Sequence, residues 1–483
     1  MLNFKLVAKI LGTLAFVETG LLLLCTLMSF LYEEDDLKPF LYATLIGFAI
    51  GTLLKFLGRG AQNVMGRRDG YMIVCMSWIL FCLVGMLPFL FTSHIKGVAN
   101  AFFETMSGFT STGATIMDNI DFCPHALLFW RSLTQWVGGL GIVLFTIAIL
   151  PGTSSGNVKL FAAQSLGPLQ GKLQPRIATT SKWILFIYFV LTICCTFSLT
   201  IAGMDWYDAV NHAFTCLGTG GFSTRQANVM FYQSPAIEYV LIIFMFLAGV
   251  NYNLLYFLLL KRQYKRLVND VEFKWYGMIF LGVTLVCTLS LHFTSGYELE
   301  RAFRSAAFQV ISLYTSTGYS SDDYMLWAPC LIPFLLAVMW IGASSGSSAG
   351  GFKTIRLAMI YKVCKNELKK ILHPNAILPL RINGQVVGTS VKMNLLAFAA
   401  IFTMTFFIGF LGLVFCGLDF LEAAGCCISC LSNVGTGYGD FGPMFSWSAM
   451  SDGAKWVCSA LMYVGRLELL SVFLVVTPSF WRK

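Results

Sequence analysis

Apolar stretches recur along the chain with short polar interruptions, at residues 7–32, 40–57, 71–92, 126–150, 183–203, 236–260, 275–293, 325–343, 395–416 and 454–477. Each is long enough to cross about 30 Å of hydrocarbon as a helix. Four amphipathic stretches, 97–109, 205–217, 298–314 and 418–433, are interleaved with them and are too short to cross. No series of about ten-residue alternating strands occurs. The pattern therefore predicts an all-α integral membrane protein of ten spans and argues against a β-barrel.

Composition agrees: 57% hydrophobic and 12% charged residues exclude an ordinary soluble globule. Lys5 and Lys9, Lys55 to Arg68, Lys159 to Lys182, Lys261 to Lys274, Lys353 to Lys392, and Arg482 with Lys483 lie in alternate connections. The positive-inside rule assigns these, and with them both termini, to the cytoplasm. Acids collect in the opposite connections, at Glu33 to Asp36, Asp118, Asp121, Asp205, Asp208, Glu298, Glu300, Asp322, Asp323 and Asp440. There they attract cations or simply mark loop ends and helix N-caps. The first span begins with lysines, but no small-residue cleavage site precedes the Glu33 cluster, so it is expected to be a retained helix.

Each amphipathic stretch is followed by a Thr-Gly pair: Thr112-Gly113, Thr219-Gly220, Thr317-Gly318 and Thr436-Gly437. The last lies in Val434-Gly435-Thr436-Gly437-Tyr438-Gly439, which reads like a potassium-channel filter. In such a filter backbone carbonyls replace the ion's hydration shell, and glycine permits the dihedrals that aim them inward. The expected filter, holding K+, is Ser111, Thr112 and Gly113; Gly218, Thr219 and Gly220; Ser316, Thr317 and Gly318; Gly435, Thr436 and Gly437. Such pairs also occur where helices pack closely. Four of them, each after a half-length helix and before a polar loop, point instead to one pseudo-fourfold pore per chain. The implied organisation is an N-terminal helix pair (1–66) and four repeats of spanning helix, half-helix and spanning helix, at 67–182, 183–273, 274–390 and 391–483. Asp205, Glu298 and Asp419 stand at the N-terminal ends of three half-helices, whose negative C-terminal ends then face the membrane midplane.

Further local matches lie in Gln174-Pro175-Arg176-Ile177-Ala178, in Gly346-Ser347-Ser348-Ala349-Gly350-Gly351-Phe352-Lys353, and in Gly465-Arg466-Leu467-Glu468 with Thr477-Pro478-Ser479-Phe480-Trp481. With these and the extra N-terminal pair, the chain resembles, essentially end to end, the TrkH/KtrB superfamily of potassium transporters, and its TrkH branch most closely. The resemblance implies a homodimer of pores in a bacterial inner membrane, working with a cytosolic, nucleotide-binding TrkA-like (RCK) regulator. It also implies that glycine at the first filter position, here Gly113, goes with potassium permeation, where serine goes with sodium. The fourth loop departs from the family towards the channel signature.

The string 342–352, which contains Gly342, Ser344, Ser345, Gly346, Ser347, Ser348, Gly350 and Gly351, cannot hold a stable helix through its middle. Unwound backbone at membrane depth must be satisfied by protein or water. The string is expected to line the pore below the filter as a mobile gate, pulled by the helix 354–372; a close-packed small-residue crossing is the alternative. Gly346 and Gly351 have phosphate-loop spacing, but Phe352 occupies the lysine's place and no strand precedes it, which rejects a nucleotide site in this chain. Arg466 falls within the last span, where a charge must face a cavity or a partner. It is expected either to oppose cations in the pore near Gly346 or to bond backbone carbonyls of the unwound string. Fifteen cysteines lie mostly in apolar spans, where they act as small hydrophobes, and Cys427 with Cys430 lacks a second pair for a metal.

The expected function is potassium uptake through a filter and an intramembrane gate, without enzyme chemistry, in contact with lipid and with no nucleic-acid partner. Uptake coupled to Na+ or H+, and a non-conducting membrane receptor or scaffold, are the alternatives.

Overall fold

The computed structural model describes residues 2–62, 64–149, 177–376 and 378–482. The basic connection from Lys159 and the Gln174-Pro175-Arg176 motif lie outside the described residues. The chain is a helical membrane protein in which four units of outer helix, short pore helix and inner helix surround one axis. A helix pair, Phe4–Leu31 and Leu37–Leu57, precedes them.

The outer helices are Arg67–Gly85 continued by Leu87–Phe91, Ile177–Ile201, Val271–Ser295 and Thr389–Phe415. They are apolar on nearly every face, as suits helices packed on one side and lipid-facing on the other. The pore helices, Val98–Phe109, Trp206–Leu217, Leu299–Tyr314 and Phe420–Ser432, are amphipathic and end buried. Asp205 caps the second by accepting from the Tyr207 amide at 3.1 Å, whereas Glu298 and Asp419 occupy N-caps without such a bond.

The inner helices are broken where the sequence reads as continuous apolar spans. Among the described residues six helices are long and apolar enough to cross, or eight when two bent pairs each count as one. The first inner helix, His125–Ile149, kinks at Gly141, which takes φ 70° and ψ 141°. The second turns by 102° between Pro235–Ala248 and Tyr252–Leu259, and Asn251 restarts it by accepting from the Asn253 amide at 2.9 Å. The third is a helix of 10 residues, Ile332–Ile341, that stops at Gly342 and resumes as Thr354–Leu372. The fourth turns by 111° between Asp452–Arg466 and Leu470–Val476, with Glu468 and Leu469 both at positive φ. Among the described residues, the third break alone is marked by a glycine and serine string.

The N-terminal pair packs backbone to backbone: a Cβ on Gly12 would lie 2.8 Å from the Lys55 amide nitrogen. It is tied to the first repeat by the Asn3 amide donating to Asp69 at 2.7 Å and the His125 amide donating to Glu34 at 2.9 Å. After the third inner helix, a two-stranded antiparallel hairpin pairs Arg381 with Val386 and Ile382 with Gln385. It packs with Ile355, Met359 and Val363 into a small separate apolar cluster. Beside it Lys392 binds Glu367 at 2.6 Å and holds that carboxyl below its ordinary range.

Candidate functional site

All four pore helices end in the same way. The amides of Thr112, Gly220, Thr317 and Val434 donate back into their helices, to the carbonyls of Ser107 (2.8 Å), Thr215 (2.9 Å), Ser312 (2.8 Å) and Ser429 (2.8 Å). The residue before each amide, Ser111, Thr219, Ser316 or Asn433, is left-handed with φ of 52°, 53°, 54° and 55°. This is a Schellman close. It carries a side chain where glycine is usual, so each close holds some backbone strain.

The residue after each amide is a glycine at positive φ: Gly113 (91°), Gly221 (75°), Gly318 (79°) and Gly435 (93°). A Cβ built on Gly113 would lie 1.9 Å from the Gly220 carbonyl oxygen. The same test gives 2.0 Å from Gly221 to Thr317, 2.1 Å from Gly318 to Val434, and 2.2 Å from Gly435 to Thr112. Each glycine thus abuts the carbonyl of the next repeat, and the fourth returns to the first. The loops close a ring.

The ring's register differs from an alignment on Thr-Gly pairs in two loops. In the second, Thr219-Gly220-Gly221 stands where Ser111-Thr112-Gly113 stands in the first, and Gly218 caps the pore helix at φ −67° and ψ −13°. In the fourth, Asn433-Val434-Gly435 takes that place. Thr436 and Gly437 follow the ring: the Gly437 amide donates to Phe441 at 2.8 Å and its carbonyl accepts from the Tyr324 hydroxyl at 3.0 Å. The left-handed residue that terminates the helix fixes which glycine meets the neighbour. Ser111, Thr112, Gly113, Ser316, Thr317 and Gly318 lie where the Thr-Gly alignment puts them.

Side chains that sequence reasoning missed hold the ring. Gln135 donates to the Gly220 carbonyl at 2.9 Å and accepts from the Phe222 amide at 3.0 Å. Asn433 donates to the Thr112 hydroxyl and to the Met462 carbonyl, both at 3.0 Å. Thr110 with Thr112 and Thr315 with Thr317 share hydroxyl bonds of 2.8 Å. An unpaired amide side chain inside an apolar run is the one sequence signal that marks Gln135.

With the N-terminal ends of the pore helices taken as the top, a cavity of about 50 Å³ sits above the ring, reached by all four ring glycines, Arg131 and Arg225. Beside it Asp208 accepts from Thr224 (2.7 Å), Tyr232 (2.7 Å) and Arg225 (2.9 Å). Burial pushes the Asp208 carboxyl up, but these bonds and nearby His212 outweigh it and hold the group below its ordinary value.

Below the ring lies a second cavity of about 110 Å³, lined by Gly139, Gly141, the 347–351 backbone, Lys353, Arg466 and Glu468. The string 342–353 crosses here without regular structure and is pinned from several repeats. Ser344 donates its amide to Gly249 (3.1 Å), and Ser345 donates its amide to buried Glu272 (2.5 Å). Gly346 accepts from Tyr252 (3.1 Å), and the Ser347 hydroxyl closes back on Ser344 (2.6 Å). Ser348 bonds the end of the second pore helix at Leu217 (2.9 Å), and the Gly350 amide donates to the Ser316 hydroxyl in the third loop (2.7 Å). Gly342, Gly346 and Gly351 all take positive φ. The string therefore touches the ring itself.

Arg466 ends the first half of the fourth inner helix, lining this cavity while bonding backbone carbonyls. Its guanidinium donates to Ser348 at 2.7 Å and to Gly138. Glu468 turns away to Arg356 at 2.5 Å. Lys353, strained at φ 82°, donates to the Ala349 carbonyl of its own string; in the sequence it stands as the last residue of the stretch 346–353 and the first of a basic connection, with no site role assigned.

A helical membrane protein with four pore loops on one chain is the class that this geometry defines. The chain matches the TrkH family of cation transport proteins over residues 37–483. It is 34% identical over 485 residues to the Trk system potassium uptake protein TrkH of Salmonella typhimurium, covering 100% of both chains. It is 30% identical over 482 residues to the Trk system potassium uptake protein TrkG of Escherichia coli, covering 99% of both. The crystal structure of the potassium transporter TrkH from Vibrio parahaemolyticus superposes with a TM-score of 0.91 at 32% identity, covering 100% of both chains. The chain belongs to the TrkH family, whose members are transporters rather than enzymes.

Proposed function

We propose that this protein takes up potassium through a pore contained in each chain. K+ enters the upper cavity, exchanges water for the carbonyls of Thr112, Gly220, Thr317 and Val434, and passes the string 342–353 into the cytoplasm. The observation that carries this reading is the closed cycle of glycine-to-carbonyl contacts, which brings four carbonyl-bearing strands within van der Waals reach of one another. The pore-helix C-termini beneath the ring add their negative dipole ends. The membrane potential supplies about 2.3 kcal/mol per charge per 100 mV, enough to concentrate K+ without chemistry.

The string is the gate in this reading, held shut by its bonds to Leu217, Ser316 and Arg466 and opened when a cytosolic, nucleotide-binding TrkA-like regulator moves the helix Thr354–Leu372. In this reading both termini lie in the cytoplasm of a bacterial inner membrane, which the alternation of basic connections supports, and the assembly is a homodimer with one pore per subunit. Rubidium flux into liposomes holding the purified protein tests the whole. Flux that depends on Gly113 and Gly435 supports transport. Its absence with and without the regulator overturns this reading in favour of a scaffold, and a requirement for Na+ or a proton gradient replaces it with coupled symport.

A further inference from the structure

The charged side chains around the upper cavity are not shared equally among the repeats. Glu104, on the first pore helix, and Arg131, on the first inner helix, form an ion pair of 2.8 Å with each residue only 1% exposed. Glu104 also accepts from the Thr115 hydroxyl (2.9 and 3.2 Å to its two oxygens) and from the Ile116 amide (2.9 Å). Arg131 spends its other nitrogens on the Thr115 hydroxyl (3.1 Å) and on the Ser223 carbonyl (3.2 Å), and its guanidinium lies 4.1 Å from the centre of the Phe222 ring. Thr115 stands just beyond ring glycine Gly113, and Phe222 and Ser223 just beyond Gly221. The Thr115 carbonyl accepts from the Trp447 amide at 2.7 Å, extending the chain of bonds into the fourth repeat.

We propose that Glu104 and Arg131 are a positioning pair that sets the ring's discrimination between K+ and Na+ by clamping the first two loops at one spacing. The proposal rests on the carbonyl-filter reading above. Discrimination between these ions depends on the number and field of carbonyls that the ring presents, hence on how firmly the strands are held. Charge-assisted bonds in a buried site are the strongest the fold makes. Arg131 places separate nitrogens on three acceptors in two repeats, which the single ammonium of lysine cannot match. The third repeat shows the contrast: Gln309 takes the corresponding place in its pore helix and makes a neutral bond to the Asp322 carbonyl at 2.7 Å. At this one position, seven residues before the left-handed close, the first pore helix is held by charge and the third by a neutral bond.

The test is the bi-ionic K+/Na+ reversal potential of the full-length protein in lipid. Arg131→Lys and Glu104→Gln are each expected to lower the K+/Na+ permeability ratio about tenfold. Thr115→Val, which keeps the ion pair and the fold but removes the shared hydroxyl, is expected to lower it about threefold. A wild-type reversal potential in Thr115→Val and in whichever charge variant assembles overturns the clamp. Gly113→Ser separates the two levels: if it shifts the potential while the clamp variants do not, only the clamp fails, and if it leaves the potential unchanged, the filter reading beneath it fails.

Discussion

The ring and the region below it are built on opposite rules. In the ring the four repeats are near-copies, with left-handed closes that agree in φ from 52° to 55° and the same return bond into each pore helix. Below the ring each inner helix breaks in its own way: a glycine kink, a 102° bend capped by an asparagine, a long unwound string, and a 111° bend through two strained residues. A ring of backbone oxygens needs equal geometry from every contributor, so helix ends impose it locally. A gate of the kind proposed needs one segment able to move, and the other three breaks would give it room and partners. Under the proposed function, similarity marks the element that would select and dissimilarity the element that would regulate.

The sharpest way to break this comparison is to add a methyl group in and just past the ring. Gly435→Ala drives a Cβ to 2.2 Å from the Thr112 carbonyl at a positive φ and is expected to lower rubidium flux by at least about a hundredfold. Gly437→Ala meets the Phe441 carbonyl at 2.8 Å, outside the ring and without a positive φ, and is expected to keep most of the flux. Equal loss in both would place the ring in the Thr-Gly register instead. Next in size, deleting Ser344 to Ser348 removes the bonds to Glu272, Gly249 and Leu217, and is expected to raise regulator-free flux about tenfold or more. Flux at the closed wild-type level would show that the string is packing rather than a gate.

Arg466→Ala deletes the bonds to Ser348 and Gly138 together with a positive charge in the lower cavity. Basal flux is expected to rise several-fold in correctly assembled protein, with loss of folded protein in detergent chromatography as the result that assigns Arg466 to structure alone. The smallest effect concerns acid stability. Because the Asp208 carboxyl is depressed in the fold, its contribution is complete above the ordinary value of 3.8 and disappears as pH falls through the lower folded value. Asp208→Asn is expected to lower the melting temperature at pH 6 by a few degrees and to flatten its decline at acid pH; an identical acid decline in variant and wild type would remove this network from the account.

Much of the pore layer was legible in the chain because half-length helices are hard to mistake. Asp205, Glu298 and Asp419 stand at N-caps, and the helix ends fall within a residue or two of the expected ones. The ring register in loops two and four was not. Thr219-Gly220 and Thr436-Gly437 look like the pairs in loops one and three, yet the left-handed residues Thr219 and Asn433 set the frame, and a backbone angle leaves no composition signal. The second and fourth inner-helix breaks were equally hidden, since Gly249-Val250-Asn251 and Leu467-Glu468-Leu469 interrupt otherwise apolar runs without a string of helix breakers. The clamp joins Glu104 to Arg131 across two helices, and pairing of that kind emerges only when the chain is folded.

Writing all four walls of the ring into a single gene product frees them from identity. In an assembly of equal subunits any altered residue appears on every wall at once, whereas here a change at Gly113 leaves Gly221, Gly318 and Gly435 untouched. If the ring is the filter proposed above, ionic preference can be adjusted one quadrant at a time while the other three walls keep their form.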